Sequence, residues 1–357
     1  MTYRVVQWSV GGVGRQTLKA LIRRPEFDLV GVYSHAPDRV GRDAGELSGL
    51  DVPSGVRATG DADALLALRP DCVVFTSVGE TRRRAAVEDL ERILGSGANV
   101  VSSSMMDLVY PPSAEGRIAG ALEEACRSGG STLFTSGIDP GFSGDALPLA
   151  AFEICERVDT VSVQELADYG SHDDPAWAAP YGFGRPPGAP APILEQGVPT
   201  FFWGGMVRLL ADQLGVQLDG LREFCERWYT PEIFTVPIGR IEAGTLAAVR
   251  FGVAGIVGGE ERLFAEHITR LHPSAAPEWP APAHDRHSLH RVVITGRPSL
   301  TLELGLGHAG GTSQGLVATA MRLVNAIPAV VAAPPGLVSA SDLVIRPGPG
   351  LFAERRS

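Results

Sequence analysis

The segment Ser9-Val10-Gly11-Gly12-Val13-Gly14 lies between a β-rich run, Tyr3 to Trp8, and an amphipathic stretch, Gly14 to Arg24. Glycines at a strand–helix junction let the backbone approach a pyrophosphate, and the helix N-terminus adds N–H donors and a favourable dipole. The spacing is GxxG or GGxG rather than GxGxxG, so a plain tight turn also fits. Gly11, Gly12, Val13 and Gly14 are the candidate phosphate-binding residues. A carboxylate for the ribose 2′-hydroxyl of NAD is expected about 20 residues further on. Ser34 stands there instead, followed by His35, Arg39 and Arg42. No carboxylate stands at the Ser34 position to repel a 2′-phosphate, and Ser34, His35 and Arg39 are expected to hold one. NADP is therefore the expected cofactor, with NAD as the alternative.

Further candidates gather where strands are expected to end. Ser77, Val78 and Gly79 follow one strand, and Ser102, Ser103 and Ser104 follow the next. Their hydroxyls and backbone amides suit the nicotinamide ribose. Asp107 is the first candidate for acid–base work, because burial beside an apolar wall favours a protonated carboxyl. An Asp capping a turn before Tyr110-Pro111 is the alternative. His284, His287 and His290 recur every third residue. On a strand the first two face opposite ways and no acid or thiolate joins them, so no metal site is expected.

The elements that must position these residues alternate strand and helix through the first third. Strands are expected at 28–34, 56–59, 72–76, 99–103 and 131–135. Helices are expected at 14–24, 62–68, 81–94 and 113–127, the last with Ser113 as N-cap. Near-continuous apolar strands in βα units argue for a doubly wound parallel sheet. The middle of the chain alternates with period two at 158–166, 240–255 and 289–307, as in a more open sheet. Ala178 to Pro192 reads as a structured loop, Pro273 to Pro282 as a surface linker, and Gly315 to Ala326 as an apolar helix. The residues after Pro347 are expected to be disordered.

The chain has 357 residues, 31 basic and 41 acidic, for a net charge of −10. Lys19 is the only lysine, so a Schiff base could form nowhere else, and its place on an expected surface helix argues against that chemistry there too. An acidic chain without a basic block is a poor partner for nucleic acid or an anionic membrane. Prolines and Asn325 interrupt the longest apolar stretch, 323–341, so no membrane span is expected. Four scattered cysteines and the lack of a signal-peptide pattern fit a cytoplasmic protein.

Several segments resemble the dihydrodipicolinate-reductase-like oxidoreductases, in the branch of 2,4-diaminopentanoate dehydrogenase and native amine dehydrogenases. They are VVQWSVGGVGR, VGRDAGEL, NVVSSSMMDLVYPP, TSGIDPGF, GFGRPP and ATAMRLVNAIPAVVAAPPGL. The resemblance implies a Rossmann domain at 1–143, an α+β substrate and dimerisation domain at 144–310, and a C-terminal helix, 311–346, returning to the first domain. It implies a homodimer and hydride transfer to or from the C=N or C=O carbon of a small ketone, imine or amine. It adds Asp139, Pro140 and Asn325 to the cofactor site. For the substrate pocket it implies Met106, Phe142, Tyr169, His172, Trp177 and Tyr181, with Tyr169 donating to a carbonyl. The family's adjacent acids, within S-T-C-E-E-L-S-Y-P, fall on Met106 and Asp107, so one acid is lost. A ketone reductase without ammonia use, or an inactive NADP-binding regulator, therefore stays open.

Overall fold

The computed structural model describes residues 2–79, 82–170, 178–282, 288–307, 311–348 and 351. Two compact units divide the chain: residues 1–141 with 316–357, and residues 142–315.

The first unit runs β1 (Tyr3–Trp8), α1 (Gly12–Arg23), β2 (Phe27–Tyr33), α2 (Ala44–Ser48), β3 (Ala58–Thr59), α3 (Ala62–Leu66), β4 (Cys72–Phe75), α4 (Arg83–Gly95), β5 (Asn99–Ser102), α5 (Gly116–Gly129) and β6 (Thr132–Thr135). All strand pairs in this sheet are parallel, in the order β3-β2-β1-β4-β5-β6 with a seventh strand beyond β6. The order reverses between β1 and β4, which opens a crevice at the strands' carboxyl ends. Short strands such as Cys72–Phe75 are wholly buried because helices cover both faces. Val5, Cys72, Val74 and Phe134 pack on one face with Leu21 of α1. Val6, Trp8, Val73 and Phe75 pack on the other with α4 and α5.

The second unit runs α6 (Ala146–Phe152), β7 (Arg157–Asp168), α7 (Val198–Gln213), β8 (Gly220–Tyr229), the hairpin β9 (Phe234–Val236) and β10 (Gly239–Ile241), then β11 (Leu246–Val257), β12 (Glu260–Arg270), β13 (Ser288–Arg297) and β14 (Leu300–Gly305). Its mixed six-stranded sheet has the order β14-β13-β7-β12-β11-β8. One face, with Val161, Val163, Phe251 and Val292, packs on α7 through Trp203, Met206 and Val207.

The chain then re-enters the first unit through α8 (Gly311–Ala332), followed by β15 (Gly336–Val338) beside β6. This helix is long and apolar enough to cross a membrane. Leu323, Ile327 and Val330, at i, i+4 and i+7, are nevertheless wholly buried against the parallel sheet. The helix continues through Pro328, where a break was expected. Apolar burial on both sides of that residue outweighs the ~3 kcal/mol cost of an internal proline.

Other expectations are corrected. Ser113 is not an N-cap: it ends a 3₁₀ turn, its Oγ donating 2.9 Å to the Tyr110 carbonyl, and α5 starts at Gly116. The segment 273–282 is no simple surface linker. Ala275 and Ala276 are buried, and the Arg270 guanidinium donates to the carbonyls of Ala275, Ala276 and Trp279. α2, α6, α7, β8, β9, β12 and β15 lie outside the elements the sequence patterns predict.

Asp43 organises the long β2–β3 connection as N-cap of α2. Its carboxylate accepts from the Gly45, Ser54 and Gly55 amides and the Ser54 hydroxyl. Burial opposes ionisation, but these hydrogen bonds outweigh it and hold the carboxyl below the usual range. A depressed folded pKa gives stability that is complete above the unfolded pKa and lost as pH falls through the folded one. Asp43→Ala should therefore lower stability by about 1 kcal/mol at pH 7. In urea titrations the gap from wild type should close in acid below the folded pKa, and a gap that persists there would remove the carboxylate from the explanation.

Candidate active site

The loop between β1 and α1 is fixed by a buried amide. Gln7 Nε2 donates to the Ser9 carbonyl at 2.8 Å and to Thr76 Oγ1 at 2.9 Å, and Oε1 accepts from Thr17 Oγ1 at 2.6 Å. Ser9 is held at φ 73°. A Cβ on Gly14 would lie 2.6 Å from the Ser9 carbonyl and 2.7 Å from Thr76 Oγ1, so glycine is required there. At Gly11 a Cβ would meet nothing within 4 Å, and Gly11 and Gly12 are exposed. The first turn of α1 has no side-chain cap and no acidic residue. Open space over uncapped N–H groups at a helix N-terminus fits a pyrophosphate. Gly11, Gly12 and Val13 would hold it there, and Gly14 would let the loop close.

The candidates after β2 differ in what they offer. Arg39 Nη1 donates 2.6 Å to the Val10 carbonyl, which brings a guanidinium to the glycine loop. His35 is exposed. Ser34 is only 2% exposed, and its Oγ accepts from the Ala36 amide, so it shapes the turn rather than facing a ligand. Arg42 pairs with Glu46 in solvent.

After β4, Ser77 is partly exposed and Val78 is 59% exposed. After β5, Ser102 is wholly buried and its hydroxyl bonds only within the turn to Ser104. Ser104 Oγ in turn donates to the Ser77 carbonyl, which ties the two strand ends together. Ser103 stays partly exposed. Asp139 is partly exposed and Pro140 buried, in the turn after β6.

Asp107 is buried, but beside a cation rather than an apolar wall. Arg83 Nη1 and Nη2 grip its two oxygens at 3.0 and 2.6 Å. Such a bidentate pair is planar and directional, so Asp107 orients Arg83 and is less suited to exchange protons itself. Met105, in the left-handed region at φ 62°, starts the 3₁₀ turn carrying both Met106 and Asp107. Met106 is partly buried next to them.

Asn325 does not belong to this edge. Its Oδ1 accepts from Arg24 at 2.5 Å. Arg24 caps the far end of α1, at the strands' amino edge. In its place α8 supplies residues that the sequence did not flag. Thr319 Oγ1 accepts from the Ile138 amide and Arg322 Nε donates to Ser136 Oγ, both 3.2 Å long. The missed Gln7, Thr17 and Thr76 carried one signal: polar residues inside apolar strand and helix patterns.

In the second unit the Tyr169 amide bonds the Arg270 carbonyl, and its ring meets Tyr181 edge-on at 5.9 Å. Tyr181, which the resemblance implies for the substrate pocket, is a buried core residue. It stacks on Phe183 at 5.2 Å and is buried in the core with Phe251. Phe142 is partly buried. His172, Trp177, His284 and His287 lie outside the described residues. Neither core thiol suits nucleophilic chemistry: burial pushes Cys72 far up and Cys126 up to about 11.

Residues 201–349 match the model of the 2,4-diaminopentanoate dehydrogenase C-terminal domain. The chain is 41% identical to an amine dehydrogenase of Streptomyces virginiae over 357 residues, 99% of each chain. It is 24% identical to a 2,4-diaminopentanoate dehydrogenase of Acetoanaerobium sticklandii, over 96% of this chain and 93% of that one. The solved amine dehydrogenase of Mycobacterium smegmatis shares the fold, with a TM-score of 0.75 at 21% identity over 97% of both chains.

Gly11→Val should fill the open space without touching the fold. Titration calorimetry should show NADPH and NADH binding weakened about tenfold or more, with the melting temperature little changed. Unchanged affinity would place the pyrophosphate elsewhere.

Proposed function

Because the chain belongs to the amine dehydrogenase family, and so to the NAD(P)-dependent oxidoreductases, we propose that it interconverts a small amine with its ketone or imine. The full-length likeness to an amine dehydrogenase carries this proposal. The open, uncapped N-terminus of α1 supports its cofactor half. A bound nicotinamide cofactor supplies or removes the hydride. The protein's part is to hold, orient and protonate.

Arg39 beside the glycine loop and exposed His35 favour NADPH over NADH, because both can meet a 2′-phosphate. Ser77 and Ser103 are the hydroxyls left accessible for the nicotinamide ribose. The Arg83–Asp107 pair is suited to orient the substrate's polar group, with the Arg83 side chain 25% exposed. Tyr169 remains the candidate donor to a carbonyl. Met106, where the family resemblance implies an acid, favours plain ketone reduction as the second reading, and dependence on ammonium decides between them.

A homodimer and a cytoplasmic location are part of the same proposal. Partly buried Phe224, Phe264 and Val293 lie on the sheet face away from α7 and suit contact with a second copy. The cysteines, all free, suit a reducing compartment.

Calorimetry with each nucleotide tests the cofactor assignment. NADPH should bind about tenfold tighter than NADH, ~1.4 kcal/mol, and Arg39→Ala should erase that margin. Equal affinities in the wild type would refute the 2′-phosphate site. Asp107→Asn should lower kcat about 100-fold while NADPH affinity stays within about threefold. Equal loss of both would make the pair a cofactor-binding feature.

A further inference from the structure

On the face of the second unit's sheet that packs on α7, three titratable side chains stand in one row. β13, β7 and β12 are neighbours, and their register sets His290 opposite Glu165 and Glu165 opposite His267. Along β7 the same face carries Val161, Val163 and Ala167, all buried. His267 and His290 are 3% and 4% exposed, whereas the Glu165 side chain keeps 22%. The carboxylate is therefore the member of the row that is presented, with a buried imidazole on either side.

Packing fixes the row. The His267 ring lies 4.2 Å from Trp203 of α7 and 5.2 Å from Phe251 of β11, centroid to centroid. Its Nε2 is 3.9 Å from Glu165 Oε2. Desolvating a carboxylate and two imidazoles is costly where valine would pack well. Clustered titratable groups in such surroundings point to chemistry rather than stability.

We propose that Glu165 binds ammonium and acts as the base that frees ammonia, with His267 and His290 as positioning residues. This rests on the amine-forming reading above. Ammonium has no lone pair with which to attack a carbonyl carbon. Transfer of one N–H proton to the Glu165 carboxylate yields ammonia and a neutral carboxyl. The ammonia lone pair then forms the C–N bond as the C=O π bond breaks, and a proton passes from nitrogen to oxygen. The Glu165 carboxyl returns its proton to the resulting hydroxyl, water leaves, and an iminium ion remains with the carboxylate regenerated. The iminium ion is the species the hydride reduces.

The test is steady-state kinetics with a panel of small ketones, NADPH and ammonium chloride, beside a preformed cyclic imine that needs no ammonia. Glu165→Gln should lower kcat/KM for ammonium about 100-fold. Its rate on the cyclic imine, and its NADPH affinity by calorimetry, should stay within about threefold of wild type. An unchanged ammonium dependence, or an equal loss on the cyclic imine, overturns the assignment and leaves the amine reading standing. A wild type with no ammonium-dependent turnover overturns both. If Glu165→Gln does not fold, Glu165→Asp keeps the charge but shortens its reach, and should raise the ammonium KM about tenfold; no change there overturns the assignment equally.

Discussion

The hydrogen-bonding capacity of one buried amide, Gln7, governs the first unit. It joins β1, the first turns of α1 and the end of β4. Leaving such a group unsatisfied in the interior costs about 1–3 kcal/mol. The left-handed Ser9, the missing Cβ at Gly14 and the hydroxyls of Thr17 and Thr76 are thus selected together. Their joint effect is to aim the positive end of α1 at open space above Gly11. The crevice at the reversal of strand order would exist without them. The open, uncapped helix N-terminus at its floor would not.

Acidic residues meet two different fates in this chain, and their surroundings decide which. Arg83 opens α4 and Asp107 lies in the connection after β5, and the bidentate grip commits both oxygens of the carboxylate. Glu165 sits mid-strand between two imidazoles that are themselves buried, and it remains accessible. The first arrangement suits orientation. The second suits a proton that must leave and come back. The family motif draws attention to Asp107 because it lies in a recognisable run, whereas Glu165 gains its meaning only from strand register.

That contrast marks what the sequence could show. The parallel sheet was legible because buried strands such as Cys72–Phe75 are continuous apolar runs between helical patterns. The glycine loop was legible from its place after β1. Ser34 and Ser102 were misjudged for one reason: a hydroxyl at a strand end can satisfy a turn as easily as a ligand, and here both bond to nearby backbone. Tyr181 lies in a Gly/Pro-rich loop whose sequence pattern does not show that its ring stacks into the core. Glu165 stands more than a hundred positions before either histidine of its row, and period-two patterning fixes a face but not a neighbour.

Asn325 shows why position along a helix matters as much as identity. Leu316 stands 3.2 Å from where a Gly12 Cβ would be, at the carboxyl edge of the sheet. Nine residues of α-helix rise about 14 Å, which carries Asn325 to the amino edge, where it meets Arg24. α8 therefore runs beside α1 in the same direction and spans the sheet. Its first turns reach the β6 exit through Thr319 and Arg322, and its later turns carry the Leu323, Ile327 and Val330 stripe. Since β15 then pairs parallel to β6, α8 is the crossover helix of a βαβ unit whose connection holds the second unit. A parallel strand can be added only by such a return across the sheet. The apolar stripe of α8 is what anchors that return, so this helix can satisfy a membrane-span criterion while belonging to a buried core.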